Sequence, residues 1–339
     1  MLPAKFYIMR TCVARALLLL FAVGVHGQVL ALDAVGAEVR DTGQPDEAGL
    51  WLQKMGDALR HESYEGIFTY MRGYQFDTVQ VAHEFRDGQE FERLSHLNGA
   101  PRELIRAGED VVCNHGSGSD IDMDHENLMG PFTRSFSKKL SRDQSFYQFS
   151  VLGSDRIAGR AAVVLGIAPK NNDRYGYRLW LDRQTGLLLQ SHLVNAGRIL
   201  EAFQFSRIDI GNEINQQSLA STLGDDRIQH QLAIATVPSR NESTRQQPPG
   251  WRVAWLPRGF RAVTSPTQDR VLYTDGLATF SVIVERPGTS KLGELETHMG
   301  GTVVITRRLK GSAQQITVVG EVPVDTAKRV AESVEPIIY

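Results

Sequence analysis

The sequence predicts a mainly β protein in two parts, a strongly curved antiparallel sheet with one or two helices and then a smaller α+β domain. Three observations carry this reading. Short apolar runs of period two follow one another between residues 66 and 210, with turn residues between them. The stretch 237–249 has no apolar periodicity and holds three prolines, the composition of a linker. Beyond it, further strand-like runs end in a helical stripe. The chain therefore divides into 1–31, 32–236, 237–249 and 250–339, and 339 residues suit about two domains.

Residues 1–31 read as a secretory signal peptide. Lys5, Arg10 and Arg15 form a positive leader without acidic residues, and Ala16–Val25 (ALLLLFAVGV) is an unbroken run of small and apolar side chains. The run is short for a bilayer crossing, and Val29-Leu30-Ala31 sets small residues where cleavage after Ala31 needs them. An uncleaved anchor is the alternative. Cleavage would take the formal charge from -2 to -5 and leave Cys113 as the single thiol, a buried strand residue in this reading.

In 32–236, Leu52, Met55 and Leu59 mark one face of a helix over 48–59. Strands are expected at 66–72, 77–85, 91–97, 102–107 and 111–113, with turns at Asp87-Gly88 and Asn98-Gly99. Gly116–Glu126 (GSGSDIDMDHE) reads as a loop. Strands return at 146–152, 161–169, 175–182, 187–194 and 199–210. In 250–339 the expected strands are 271–273, 279–284, 302–309 and 316–319. A short helix is expected at 291–298, and a closing helix from Pro323 with Val324, Ala327, Ala331 and Val334 along one stripe.

The charge balance, 37 basic against 39 acidic residues, gives no general attraction to nucleic acid. Residues 250–339 carry 11 basic and 9 acidic side chains, so the first part is the acidic one. That asymmetry fits mutual docking, different partners, or two unrelated solvated surfaces. No nucleophile elbow, phosphate loop or dinucleotide glycine pattern occurs. His61-Glu62, His83-Glu84 and His125-Glu126 each lack the second histidine of a zinc helix. Asp120, Asp122 and Asp124 have calcium-loop spacing, but His125 and Pro131 stand where the loop needs Gly and Glu. No metal and no cofactor is assigned, and the chain reads as a binding protein and not an enzyme. A hydrolase built on an unrecognised carboxylate pair is the outlying alternative.

Large apolar residues alternate along the strands: Phe68, Tyr70, Val79, Val81, Phe85, Trp180, Phe203 and Phe205. Such a curved sheet forms either a concavity for acyl chains or a core plugged by the Leu52/Met55/Leu59 helix. Phe68, Val79, Val81, Phe85 and Trp180 are the candidates for an acyl-binding site.

Several segments are similar to known ones. Trp180–Gly186 (WLDRQTG) resembles a turn of periplasmic lipoprotein-carrier (LolA/LolB-like) domains. Trp255–Phe260 (WLPRGF), Tyr273–Leu277 (YTDGL), Phe280–Val282, Val319–Pro323 and Thr326–Ser333 resemble, in order, the MucB/RseB family. So do Leu52–Met55, Tyr64–Tyr70 and Gly99–Glu103. The resemblance implies a LolA/LolB-like half-open antiparallel β-barrel with helices, a linker and a small α+β domain. It further implies a periplasmic negative regulator of the envelope-stress sigma factor, which binds the periplasmic part of a membrane-spanning anti-sigma factor. That hold would shield the anti-sigma factor from regulated proteolysis and end when a lipid or lipopolysaccharide fragment binds. A homodimer is compatible with the family. Trp255, Arg258, Phe260 and Tyr273 are the candidates for the peptide site, with Trp255 and Phe260 alternatively anchoring the small domain's core. A periplasmic carrier of lipid or lipoprotein is the competing function, and the second domain speaks against it.

Overall fold

A computed structural model describes residues 47–115, 145–224, 228–232, 250–263, 269–285 and 293–337. The expected signal peptide, the Asp120–Asp124 loop and the 237–249 linker lie outside these residues. All the described residues belong to one compact unit, Pro45–Tyr339.

Helix α1, Glu47–His61, follows from its periodicity: Ala48, Leu52, Met55 and Ala58 fall on one stripe and are its buried residues. Glu47 in its first turn and Arg60 and His61 in its last suit the helix dipole. Five strands then meander: β1 (Tyr64–Arg72), β2 (Gln75–Arg86), β3 (Gln89–His96), β4 (Arg102–Ala107) and β5 (Asp110–His115). A second meander runs through β6 (Tyr147–Ile157), β7 (Arg160–Pro169), β8 (Gly176–Asp182), β9 (Leu188–Asn195) and β10 (Arg198–Ile210). A one-turn helix α2, Gln216–Leu219, precedes β11 (Ile228–Leu232).

The two meanders join in the middle, because β10 pairs antiparallel with β1. The eleven strands run in the order β11-β5-β4-β3-β2-β1-β10-β9-β8-β7-β6, an open sheet whose first and last strands do not meet in a ladder. The turns that make this possible need left-handed backbone. Asp87 and Gly88 (φ 54° and 77°) close the β2–β3 hairpin, as an Asp-Gly pair in a mirror-image turn does. Ala196 and Gly197 (φ 47° and 78°) close β9–β10 in the same way.

The C-terminal part holds a six-stranded antiparallel sheet and a separate two-stranded ladder. The strands are β12 (Trp251–Val253), β13 (Arg261–Val263), β14 (Arg270–Thr274), β15 (Thr279–Glu285), β16 (Leu295–Met299), β17 (Thr302–Arg308), β18 (Gln315–Gly320) and β19 (Val334–Pro336). The sheet order is β13-β14-β15-β18-β17-β16, and β12 pairs with β19. Helix α3, Val324–Glu332, starts after Pro323 and buries Thr326, Ala327, Val330 and Ala331. The core here gathers Trp251, Phe260, Tyr273, Phe280, Val282, Ile305 and Val318 with Ala327 and Val330 of the helix.

Two sequence expectations are corrected. The short helix expected at 291–298 is strand β16, paired with β17 from Leu295↔Thr306 to Met299↔Thr302. Its threonine and its edge ladder override a weak helical pattern. Val334, expected on the closing helix, lies in β19 opposite Val253, since the helix stops at Glu332.

Candidate functional site

Directly paired residues on neighbouring strands point to the same side of a sheet. Phe68 pairs with Val79 on one side and Phe205 on the other, and Tyr70 pairs with Asp77 and Phe203. Val81 continues the row through Leu94 of β3 to Leu104 of β4. These residues form an apolar floor. The Phe68 ring lies 4.8 Å from Phe203 and 5.7 Å from Phe205. Val79 and Val81 are buried and Phe68 is half-buried. Gly66 permits this packing, because a Cβ there would stand 2.6 Å from the Arg207 carbonyl oxygen and 2.9 Å from the Phe205 ring. Leu52 and Met55 of α1 join Val81, Leu179 and Phe205 in one core, so the helix covers part of the floor. Phe85 sits at the helix end of the row, its ring edge-on to His61 at 4.7 Å.

Polar rows bracket the floor. On one side Tyr64 stacks on His83 at 4.8 Å, and His83 pairs across the ladder with the buried Glu92. On the other, Arg102 reaches Asp77 at 3.3 Å and the His96 ring nitrogen at 3.1 Å. Burial, then the Arg102 charge, push the His96 pKa down to about 4. Titratable groups therefore border an apolar row that is itself buried beneath α1.

Trp180 shares the buried core of Leu52, Val81 and Phe205 but stands outside the Phe68–Val79 row. It pairs with Val164 and Gln190, while its neighbour Leu179 pairs with Leu165 and Ser191, so the two point to opposite sides. The indole N–H donates to Asp155 at 2.8 Å, and the ring meets His192 edge-on at 4.7 Å. Of the five acyl-site candidates, Phe68, Val81 and Trp180 share one core and Val79 pairs with Phe68, whereas Phe85 lies beyond the Tyr64–His83–Glu92 row, against His61.

The four C-terminal candidates also separate. Tyr273 stacks on Phe280 at 5.3 Å inside the small core, and Phe260 lies 5.1 Å from the same ring. Trp255 is half-buried under the Arg329 guanidinium, 3.9 Å from the ring centre. Arg258 is exposed, and its backbone carbonyl accepts from Arg174.

That last contact opens a junction that the sequence did not mark. Arg174, between β7 and β8, pairs with Asp275, in the β14–β15 turn, at 2.5 Å, and both side chains are fully buried. Tyr147 donates to the same Asp275 oxygen at 2.9 Å, while the backbone N–H groups of Leu277 and Ala278 bind the other. The guanidinium lies between Phe146 at 4.9 Å and Phe260 at 5.0 Å, one ring from each part. Farther along, Glu201 of β10 accepts from Gly301 N–H at 2.8 Å and from the Tyr70 hydroxyl, and Tyr175 donates to the Val322 carbonyl at 2.9 Å. Burial pushes the Glu201 carboxyl above its ordinary range. Burial and the Glu201 charge raise Glu321 to about 7. The only sequence signal for this junction is Asp275-Gly276, a turn pair.

On the opposite side of the first sheet, Glu103 is buried and bonded by Arg93 at 2.6 Å, Ser221 at 2.6 Å and Thr222 at 2.6 Å. Burial opposes ionisation, but these bonds outweigh it and hold the carboxyl below its ordinary range. They fasten the segment after β10 to the sheet on its way to the β5 edge. Cys113, facing Leu104 across the ladder, is a buried thiol without a disulfide.

An open sheet with an apolar floor, joined to a second sheet through a buried ion pair, defines a two-module binding protein. The profile of the MucB/RseB N-terminal domain matches residues 47–223, and that of the MucB/RseB C-terminal domain matches 245–335. The chain belongs to the MucB/RseB family. It is 36% identical over 307 residues to the sigma factor AlgU regulatory protein MucB of Pseudomonas aeruginosa, covering 86% of this chain and 92% of that one. It is 29% identical over 297 residues to the sigma-E factor regulatory protein RseB of Haemophilus influenzae, covering 84% and 90%. The solved complex of Pseudomonas aeruginosa MucA and MucB is similar at a TM-score of 0.68 and 34% identity, over 86% of this chain and 99% of that one. A crystal structure of MucB in complex with MucA(peri) matches at 0.65 and 32%, over 86% and 100%.

Proposed function

We propose that this chain is a periplasmic regulator that binds the periplasmic region of a membrane-spanning anti-sigma factor and shields it from regulated proteolysis. The observation that supports the reading most is its 36% identity, across both modules, to a MucB named as a regulator of the sigma factor AlgU. The complex with MucA(peri) supports the choice of partner. Among the described residues no helix is long and apolar enough to cross a membrane. Residues 1–31 serve as the export signal, 32–236 as the lipid-sensing part, 237–249 as the linker and 250–339 as the second module.

A lipid or lipopolysaccharide fragment ends the hold by displacing α1 from the floor of Phe68, Val79 and Val81, with Phe85 at its far end. Trp255, Arg258 and their surroundings contact the peptide. Both ligands act on the same molecule, so a preference of each for a different arrangement of the two sheets makes them compete. Calorimetry of the secreted protein with the MucA periplasmic region tests this, alone and with lipopolysaccharide present. Binding that weakens as lipopolysaccharide is added is the expected result. Absence of binding overturns the whole reading, and binding indifferent to saturating lipopolysaccharide overturns the sensing part.

A further inference from the structure

Five of the eight large apolar side chains exposed among the described residues crowd one end of the first sheet: Tyr74, Phe76, Leu97, Ile199 and Met299. Tyr74 is fully exposed and Phe76 58% exposed. They come from four separate hairpins, yet those hairpins are neighbours. The β1–β2 turn and the β9–β10 turn lie side by side, because Arg72 pairs with both Gln75 and Glu201 and Gly73 N–H donates to the Leu200 carbonyl at 3.3 Å. The β3–β4 turn is tied to them by Asn98, whose side chain accepts from Thr78 N–H at 2.6 Å and donates to the Phe76 carbonyl at 3.0 Å. The β16–β17 turn of the second sheet is seated against the same rim through Gly301 N–H on Glu201.

The charge at this rim is as selective as its apolarity. The segments 73–76, 97–101, 195–199 and 298–300 contain no aspartate or glutamate, and their basic side chains are Arg198 and His298. The rest of the molecule is rich in carboxylates, with 39 in the chain. The nearest ones are engaged, Asp77 by Arg102, Glu201 by Tyr70 and Gly301, and the exposed Glu296 by Lys328. Rigid turns that expose aromatic and aliphatic tips, with a basic residue and no carboxylate, match the interfacial zone of a bilayer. There, aromatic rings and apolar tips are stabilised among head groups and anionic lipids repel carboxylates.

We propose that these four hairpin tips form a membrane-docking rim, by which the protein rests on an anionic phospholipid surface. The rim differs from the acyl floor in place and in ligand. The floor takes one amphiphile into the sheet, whereas the rim lies on an intact bilayer. Both modules contribute, through Met299 and through Tyr74, Phe76 and Ile199, so the docked state also favours the seated arrangement of the two sheets.

Flotation of the secreted protein with phosphatidylethanolamine–phosphatidylglycerol vesicles tests the proposal. The wild type should float at low salt. The variant Tyr74→Ser/Phe76→Ser/Ile199→Ser/Met299→Ser should partition less by on the order of tenfold or more. Leu50→Ser, exposed elsewhere, should float like the wild type. A Phe76→Trp variant should show blue-shifted emission on vesicle addition. A wild type that stays in the aqueous layer, or a rim variant that floats equally well, overturns the proposal. So does a dimer in sedimentation that the rim variant abolishes, since the rim would then serve a second copy. Loss of MucA-region binding by the rim variant without vesicles would likewise assign the rim to the peptide.

Discussion

Arg174 and Asp275 meet at 2.5 Å with neither side chain exposed, and they tie the first sheet to the second. Ion pairs withdrawn from water contribute little net stability over an apolar replacement, but losing one partner strands the other charge. Here the cost is high because Asp275 also holds its own turn through Leu277 and Ala278 and accepts from Tyr147. Arg174→Met should therefore cost about 3–5 kcal/mol in urea unfolding. Arg174→Met combined with Asp275→Leu should recover part of that loss, which a double-mutant cycle would read as coupling. Additive losses would show that the two residues do not act as a pair.

Glu321 and Glu201 predict a pH dependence of the junction. Burial raises both above the ordinary carboxylate value, Glu321 to about 7. A carboxyl with a raised folded pKa favours the fold when protonated. Its stabilising effect is complete below its unfolded value and is lost as pH rises through about 7. Arg72 opposes the shift, while the Tyr70 hydroxyl and Gly301 N–H hold Glu201. His96 and His192 run the other way, since burial lowers both and the unfolded chain takes up their protons first as pH falls. The clean measurement is therefore a difference. Relative to Glu321→Gln, the wild type should lose melting temperature between about pH 5 and pH 8. Parallel curves for the two proteins would refute the assignment.

The Glu103 clamp gives the opposite sign. Its carboxyl is held below the ordinary range, so its contribution is complete above that range and is lost only as pH falls beneath it, through the lowered folded value. Glu103→Ala leaves the buried Arg93 without its partner and should cost about 3–5 kcal/mol. Limited proteolysis should then cut the 216–222 segment, which Ser221 and Thr222 fasten to Glu103. Unchanged resistance there would mean that the segment is held by something else.

The strands were legible where alternation and turn residues coincided, as in 77–85 ending at Asp87-Gly88. They were misread where small or charged residues stand in a ladder. The expected strand 146–152 stops short, since β6 continues through Gly153-Ser154-Asp155-Arg156 to Ile157 past a bulge between Val151 and Gly153. The apolar floor was legible in part, since Phe68, Val79 and Val81 alternate as floor residues must. Trp180 alternates equally well, and no local pattern tells which side of the sheet a strand's even positions occupy. Arg174 and Asp275 stand 101 residues apart in polar loops, and nothing local pairs them.

Gly301 offers a test of the seating that leaves both cores alone. It lies in the β16–β17 turn, where an added Cβ would run into the Leu193 side chain of β9 and lie 3.5 Å from both Glu201 Oε1 and the Tyr175 ring. None of these belongs to the second sheet. Gly301→Ala therefore wedges one sheet from the other while the ladder from Leu295 to Arg308 stays intact. Overpacking of this kind should cost about 1–3 kcal/mol. If the partner peptide needs the seated arrangement, its affinity should fall too, with the Phe280 and Phe205 cores unchanged by near-ultraviolet circular dichroism. If affinity falls only when vesicles are present, the wedge acts through the rim and not through the peptide site. Stability equal to the wild type would show that the turn has room to shift, and that the Glu201 contact does not fix how the sheets meet.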